Sequence, residues 1–179
     1  MRKIAFLCAI LALSGALEAK DRFGFGGKGG KGVAVVNNAL YTKECASCHF
    51  GYQAGLLPSD SWRYIMDTLS NHYGTDASID DEGVRTTLRD FLVANASETS
   101  NYKRSVKITR SLQRGIVYKS LTEIPYLQRK HRKIDKYLIE QKEVRSLARC
   151  AACHREAERG EYNKRTVDIP NYGAWRGKR

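Results

Sequence analysis

Cys45-Ala46-Ser47-Cys48-His49 and Cys150-Ala151-Ala152-Cys153-His154 are two copies of one pattern, C-x-x-C-H, set far apart in a chain of 179 residues. The pattern is the attachment signature of c-type haem. Two thiols three positions apart on one helical turn reach the two vinyl groups of a single porphyrin, and the adjacent histidine then presents its imidazole to the iron. Cys45 and Cys48 are therefore expected to hold one haem with His49 as axial ligand, and Cys150 and Cys153 a second with His154. Three other readings compete. A zinc site built from the four thiols would not require a histidine directly after each pair. Thioredoxin-like redox chemistry needs a C-x-x-C beside a βαβ pattern, and none is visible. Two structural disulfides leave the repeated histidine unexplained.

The remaining histidines fit the same count. The chain has four, His49, His72, His131 and His154, and two irons with two axial imidazoles each use all of them. On a helix continuing from Trp62 to Leu69, His72 falls within about 60° of Leu69 and about 20° of Ile65, on the apolar side. His131 shares a helical face with Leu127, Ile134 and Leu138. Met66 is the competing ligand, since His/Met coordination occurs in c-type cytochromes. It lies six positions, about 120° of helical turn, from His72, so the two do not face one iron. Met66 is expected in the core or against the porphyrin edge.

The N-terminus reads as an export signal. Met1-Arg2-Lys3 is positive, Ile4 to Leu17 is apolar, and Ala19 offers a small residue at the cut point. The run is shorter than the ~20 apolar residues of a membrane span. Residues 1–19 are thus expected to be a signal peptide. It takes with it Cys8, which lacks the small residues of a lipoprotein signal before it. A periplasmic location follows, with no nucleic acid as partner despite a net charge of +12. Residues 20–32 are glycine-rich and expected to form a flexible leader. Gly24-x-Gly26-x-x-Gly29 matches a dinucleotide fingerprint in letters only, because that motif requires a strand before it and a helix after it.

The mature chain is expected to be mostly α-helical: two small haem modules, 33–100 and 101–179, in which short helices pack around covalently bound haems. Helices are predicted from Val35 into Cys45, from Pro58-Ser59-Asp60 towards Gly74, and from a cap at Ser78 or Asp80 through Val84, Leu88, Phe91 and Leu92. A polar link covers about Asn95 to Ser105, and Ile108 to Leu121 is ambiguous between strand and helix. Pro125 fits the first turn of a helix carrying His131. Val144 to Ala151 reads as a further helical segment, and the tail from Arg155 as polar and basic. Charge is unevenly spread: residues 20–100 carry 8 basic and 10 acidic side chains, residues 101–179 carry 21 and 8. Such an asymmetry suits docking of the basic half on an acidic redox partner, or peripheral contact with an anionic membrane.

The chain resembles the small dihaem cytochromes c. Beyond the two haem motifs the resemblance runs through Leu56-Leu57-Pro58, Ser61-Trp62, His72-Tyr73-Gly74, Ile108-Thr109, the segment around His131, Val144 to Cys150, Ala157-Glu158-Arg159-Gly160 and Ile169-Pro170. It departs at Gln53-Ala54, where proline-rich sequence is expected, and over Ser111 to Leu121, which is longer than the family pattern. The resemblance implies two covalently bound haems c with His72 and His131 as distal ligands. It also implies a periplasmic electron carrier, rather than an enzyme, serving other haem proteins or membrane cytochromes. Two alternatives are a dihaem subunit of a periplasmic reductase and a haem protein with one open site for O₂, NO or peroxide.

Overall fold

A computed structural model of the chain describes residues 30–177. The expected signal peptide and most of the glycine-rich leader lie outside the described residues. Among those described are six short α-helices, α1 (Ala39–Glu44), α2 (Ser59–Asp67), α3 (Glu82–Ala94), α4 (Lys103–Thr109), α5 (Pro125–His131) and α6 (Lys136–Glu140). Single 3₁₀ turns join them, and a two-residue antiparallel pair, β1 (Asp168–Ile169) and β2 (Gly173–Ala174), lies near the end. The mostly helical class holds. No helix among the described residues is long and apolar enough to cross a membrane.

Local chemistry explains where the helices stop, and several stop earlier than periodicity suggests. α1 begins at Ala39 rather than Val35, because the Asn38 side chain accepts the Tyr41 amide and sets the cap there. α3 is capped by Asp81, not by Ser78 or Asp80, through a 3.0 Å bond from the Val84 amide. The first turn of α2 is satisfied from outside: the Glu98 carboxylate accepts both the Ser59 amide and its hydroxyl. α2 ends at Asp67, and Leu69–Asn71 is a 3₁₀ turn, so His72 is not on the helix. α4 starts inside the stretch read as a polar link. The face drawn from Leu127 to Leu138 is divided between α5 and α6, and of the segment from Val144 only Cys150–Ala152 is a 3₁₀ turn. The Pro125 start of α5 is as predicted.

One core joins the two halves of the chain. Trp62, Ile65 and Met66 of α2 pack on Leu88 and Leu92 of α3, and the same cluster takes in Ile108 of α4, Ile124, Tyr126 of α5 and Tyr162. Position 100 therefore does not divide the core. The tail is structural rather than merely polar. Val167 and Ile169 pack with Leu138, Cys153 and Trp175 in a second, smaller cluster, and the Asp168 amide donates to the Cys153 carbonyl.

Residues 30–32 are also not a free leader. The Lys103 and Arg104 amides donate to the Gly30 and Gly32 carbonyls, and the Val33 amide donates to that of Gly160 at 2.9 Å. The strands of chain meet too closely for side chains. A Cβ on Gly32 would lie 2.0 Å from the Gly160 oxygen, and one on Gly160 would lie 2.3 Å from the Val33 oxygen, at a φ of +69°. Gly160→Ala is expected to destabilise the protein by about 2–4 kcal/mol, left-handed strain and backbone overlap acting together. Gly115→Ala, at φ +75° with nothing within 4 Å of the added carbon, should cost only about 1–2 kcal/mol. Thermal melting of the two variants checks the difference; equal losses would contradict the close approach.

Candidate haem sites

Each cysteine motif follows a short element that delivers it to the edge of the core. Cys45 closes α1 with its amide on the Tyr41 carbonyl, and the rest of its motif leaves the helix as an irregular turn. The second motif keeps more helical character: its 3₁₀ turn spans Cys150–Ala152, and the His154 amide donates to the Cys150 carbonyl at 2.8 Å. Cys45, Cys150 and Cys153 are half-buried and Cys48 is exposed. Burial pushes the Cys45 and Cys150 thiols up to about 11, so neither is an activated thiolate at neutral pH. Among the described residues, no group of three or more His, Cys, Asp or Glu side chains is gathered to hold a metal ion, so the four thiols do not meet as a zinc site.

The two histidines outside the cysteine motifs arrive by different routes. His72 is set by a tight turn in which the His72 amide donates to the Thr75 carbonyl at 2.7 Å and the Thr75 amide returns a bond to His72. The two central residues have positive φ, +53° at Tyr73 and +89° at Gly74, the geometry of a type I′ turn. Asn71 steadies it by accepting the Gly74 amide. The His-Tyr-Gly segment is therefore a positioning turn, and the helical angles assigned to His72 do not apply. His131 is the last residue of α5, and its Nδ1 meets the Leu127 carbonyl at 2.8 Å.

The structure brings these residues together in two pairs. The rings of His49 and His72 have centroids 6.1 Å apart and planes 11° from parallel. Those of His131 and His154 are also 6.1 Å apart, with planes at 88°. Two imidazoles on opposite sides of one metal ion, each bonded at about 2 Å, would have ring centres separated by about 6 Å. The tautomers suit this. A carbonyl can only accept, so Nδ1 of His49, 2.8 Å from the Phe50 oxygen, and Nδ1 of His131 both carry hydrogen, leaving each Nε2 lone pair free. Burial lowers the pKa of His72 and His131, and takes that of His154 to about 4, with His131 and Arg104 adding to the effect. These three rings are neutral at physiological pH, as ligation requires. Nδ1 of His154 is buried with no protein partner.

A cavity adjoins the second pair. It has a volume of about 60 Å³ and is bounded by Leu56, Leu121, Leu127 and Leu147 with His131 and His154. The four leucines give it the apolar wall that a porphyrin face demands. Met66 is 2% exposed inside the core cluster, where core packing was expected. Three residues that sequence reading passed over tie the two sites together. Tyr52 lies 5.3 Å from the His49 ring and donates to the Ala148 carbonyl just before the second motif. Buried Gln53 donates to the Ala157 carbonyl and accepts from the Tyr162 hydroxyl. The Tyr162 ring lies 5.3 Å from that of His154. Their signal was faint: Gln53 stood out only as a departure from proline-rich sequence.

A family model described as dihaem cytochrome c matches residues 41–162. The chain belongs to the dihaem cytochrome c family. No curated protein matches it. Among solved structures it is similar to a dihaem cytochrome c of Rhodobacter sphaeroides, at 40% identity and a TM-score of 0.63 over 72% of this chain and 98% of that one. It is similar also to a dihaem cytochrome c of Shewanella baltica, at 34% identity and 0.63 over 79% and 99%. The protein is an electron-transfer haem protein with two covalently bound c-type haems. Bound haem would supply a one-electron Fe(III)/Fe(II) couple; what this chain adds is paired imidazoles, fixed tautomers and, beside the second pair, an apolar wall.

Because one cavity wall is shared with the core through Leu56 and Leu121, the haem-free chain is expected to lose its cooperative fold. A variant with all four motif cysteines changed to serine should show weak circular dichroism and no sharp thermal transition. Melting that matches the holoprotein would overturn this.

Proposed function

We propose that this dihaem cytochrome is an exported carrier of single electrons in which both irons are bis-histidine ligated. Cys45 and Cys48 bind the first haem, with His49 and His72 as its axial ligands. Cys150 and Cys153 bind the second, with His154 and His131. The observation that carries the reading is the repeated 6.1 Å separation of paired imidazoles, which leaves each iron two strong protein donors and no position for a substrate. A six-coordinate iron in both oxidation states rearranges little, which favours outer-sphere transfer over catalysis. Imidazole in place of methionine keeps the potentials comparatively low. The N-terminal signal peptide reading supports a periplasmic location. The excess of basic residues after position 100 supports docking on an acidic redox protein, with an association rate that falls as ionic strength rises.

Carbon monoxide tests the ligation. The reduced holoprotein is expected to show no change in its visible spectrum on adding CO. Stoichiometric binding at one haem would overturn the carrier reading in favour of an open site for a diatomic gas or peroxide. The ring angles make a second prediction. Nearly parallel imidazole planes at one iron and nearly perpendicular planes at the other split the iron d orbitals differently. The oxidised protein should therefore give two distinct low-spin electron paramagnetic resonance signals, one rhombic and one highly anisotropic. A single signal integrating to two spins would contradict the pairing.

A further inference from the structure

Arg104 is the feature of the second haem site that haem ligation does not explain. It sits on α4, far in sequence from both cysteine motifs, and its side chain lines the same cavity as His131 and His154. Its two terminal nitrogens are occupied: one donates to the Tyr126 hydroxyl at 3.2 Å, the other to the Tyr162 carbonyl at 2.7 Å. The guanidinium lies 5.4 Å from the centre of the Tyr162 ring. Its Nε–H is buried and has no partner. None of the contacts is charged, and among the described residues no carboxylate lies within ion-pair distance of it.

A guanidinium held in a part-buried wall without a counter-charge is costly, and so is an unmatched buried donor. The rest of the cavity makes the imbalance larger. Lys130 lines the same wall, its ammonium 5.6 Å from the centre of the Tyr126 ring, and no aspartate or glutamate lines the cavity. The cleft beside His49 has the opposite character: Glu158 is among its lining residues and no lysine or arginine is. A cavity with two cations and no anion is built for an anionic occupant. Haem brings its own anions, the two propionate carboxylates, and a guanidinium is the side chain best shaped to meet a carboxylate.

We propose that Arg104 pairs with a propionate of the second haem and thereby raises that haem's reduction potential above that of the first. The inference rests on the second haem being attached at Cys150 and Cys153. Adding an electron makes the haem one unit more negative. A nearby fixed positive charge stabilises the reduced form, and an unneutralised propionate stabilises the oxidised one. The single electron of the half-reduced protein then resides mainly on the second haem, on the basic half of the chain. Arg104 is a positioning residue: it touches the haem periphery, not the iron.

Two holoprotein variants test this, Arg104→Lys, which keeps the charge, and Arg104→Gln, which keeps hydrogen-bond donors without charge. Mass spectrometry first counts covalent haems. Fewer than two on the unmodified protein would sink the haem reading itself, separately from this inference. With two in place, spectroelectrochemical titration should show one midpoint potential falling in Arg104→Gln, the other unmoved, and both near their original values in Arg104→Lys. If Arg104→Gln retains one haem while Arg104→Lys retains two, charge anchoring is again supported. Unchanged potentials, equal shifts of both, identical shifts in the two variants, or loss of the second haem from both would overturn the proposal.

Discussion

Two pairs of imidazoles are held 6.1 Å apart, and much of the rest of the structure serves that constraint. A histidine that ligates must be uncharged and must offer the correct nitrogen. Burial supplies the first condition at His72, His131 and His154. Backbone carbonyls supply the second at His49 and His131, by taking the Nδ1 hydrogen. Neither condition needs a carboxylate beside the ring, and no aspartate or glutamate lines the cavity at the second pair.

The ring that lies outside the cysteine motif is placed differently in the two pairs. At the first, a type I′ turn through Tyr73 and Gly74 carries His72 beyond the end of α2. At the second, α5 ends on His131 itself. The difference in ring angle, 11° against 88°, accompanies that difference in scaffold. The two pairs thus share one distance and differ in orientation. The charged surroundings differ as well, through Arg104 and Lys130 near one site and Glu158 near the other.

The sites are not independent beads on a chain. Tyr52 reaches from beside His49 to the carbonyl of Ala148, and Gln53 joins Tyr162 and Ala157. Gln53 is 2% exposed, so its hydrogen bonds are made where an unpaired amide would be costly. Residues 52–53 thus brace the second motif from the first, across about a hundred positions of sequence. The Ala157 carbonyl that Gln53 meets also accepts the Gly160 amide, so the close approach of Gly32 and Gly160 adjoins this brace.

Sequence alone determined the cofactor class. Two C-x-x-C-H motifs and a histidine count that matches two irons are local chemical statements, true whatever the chain does between them. It also determined the helical class and the Pro125 start of α5, since periodicity and capping act over a few residues. It did not determine where α2 ends, because the Leu69–Asn71 turn continues the apolar pattern while breaking the helix. It did not reveal that residues 30–32 and the tail belong to the fold, because glycine and basic residues look the same free or docked. Only the tertiary structure decided that His72 pairs with His49 and His131 with His154. It alone set the ring angles, and it alone placed Arg104 against the second pair. Pairing, orientation and unmatched charge are properties of segments distant in sequence, and packing alone brings those segments together.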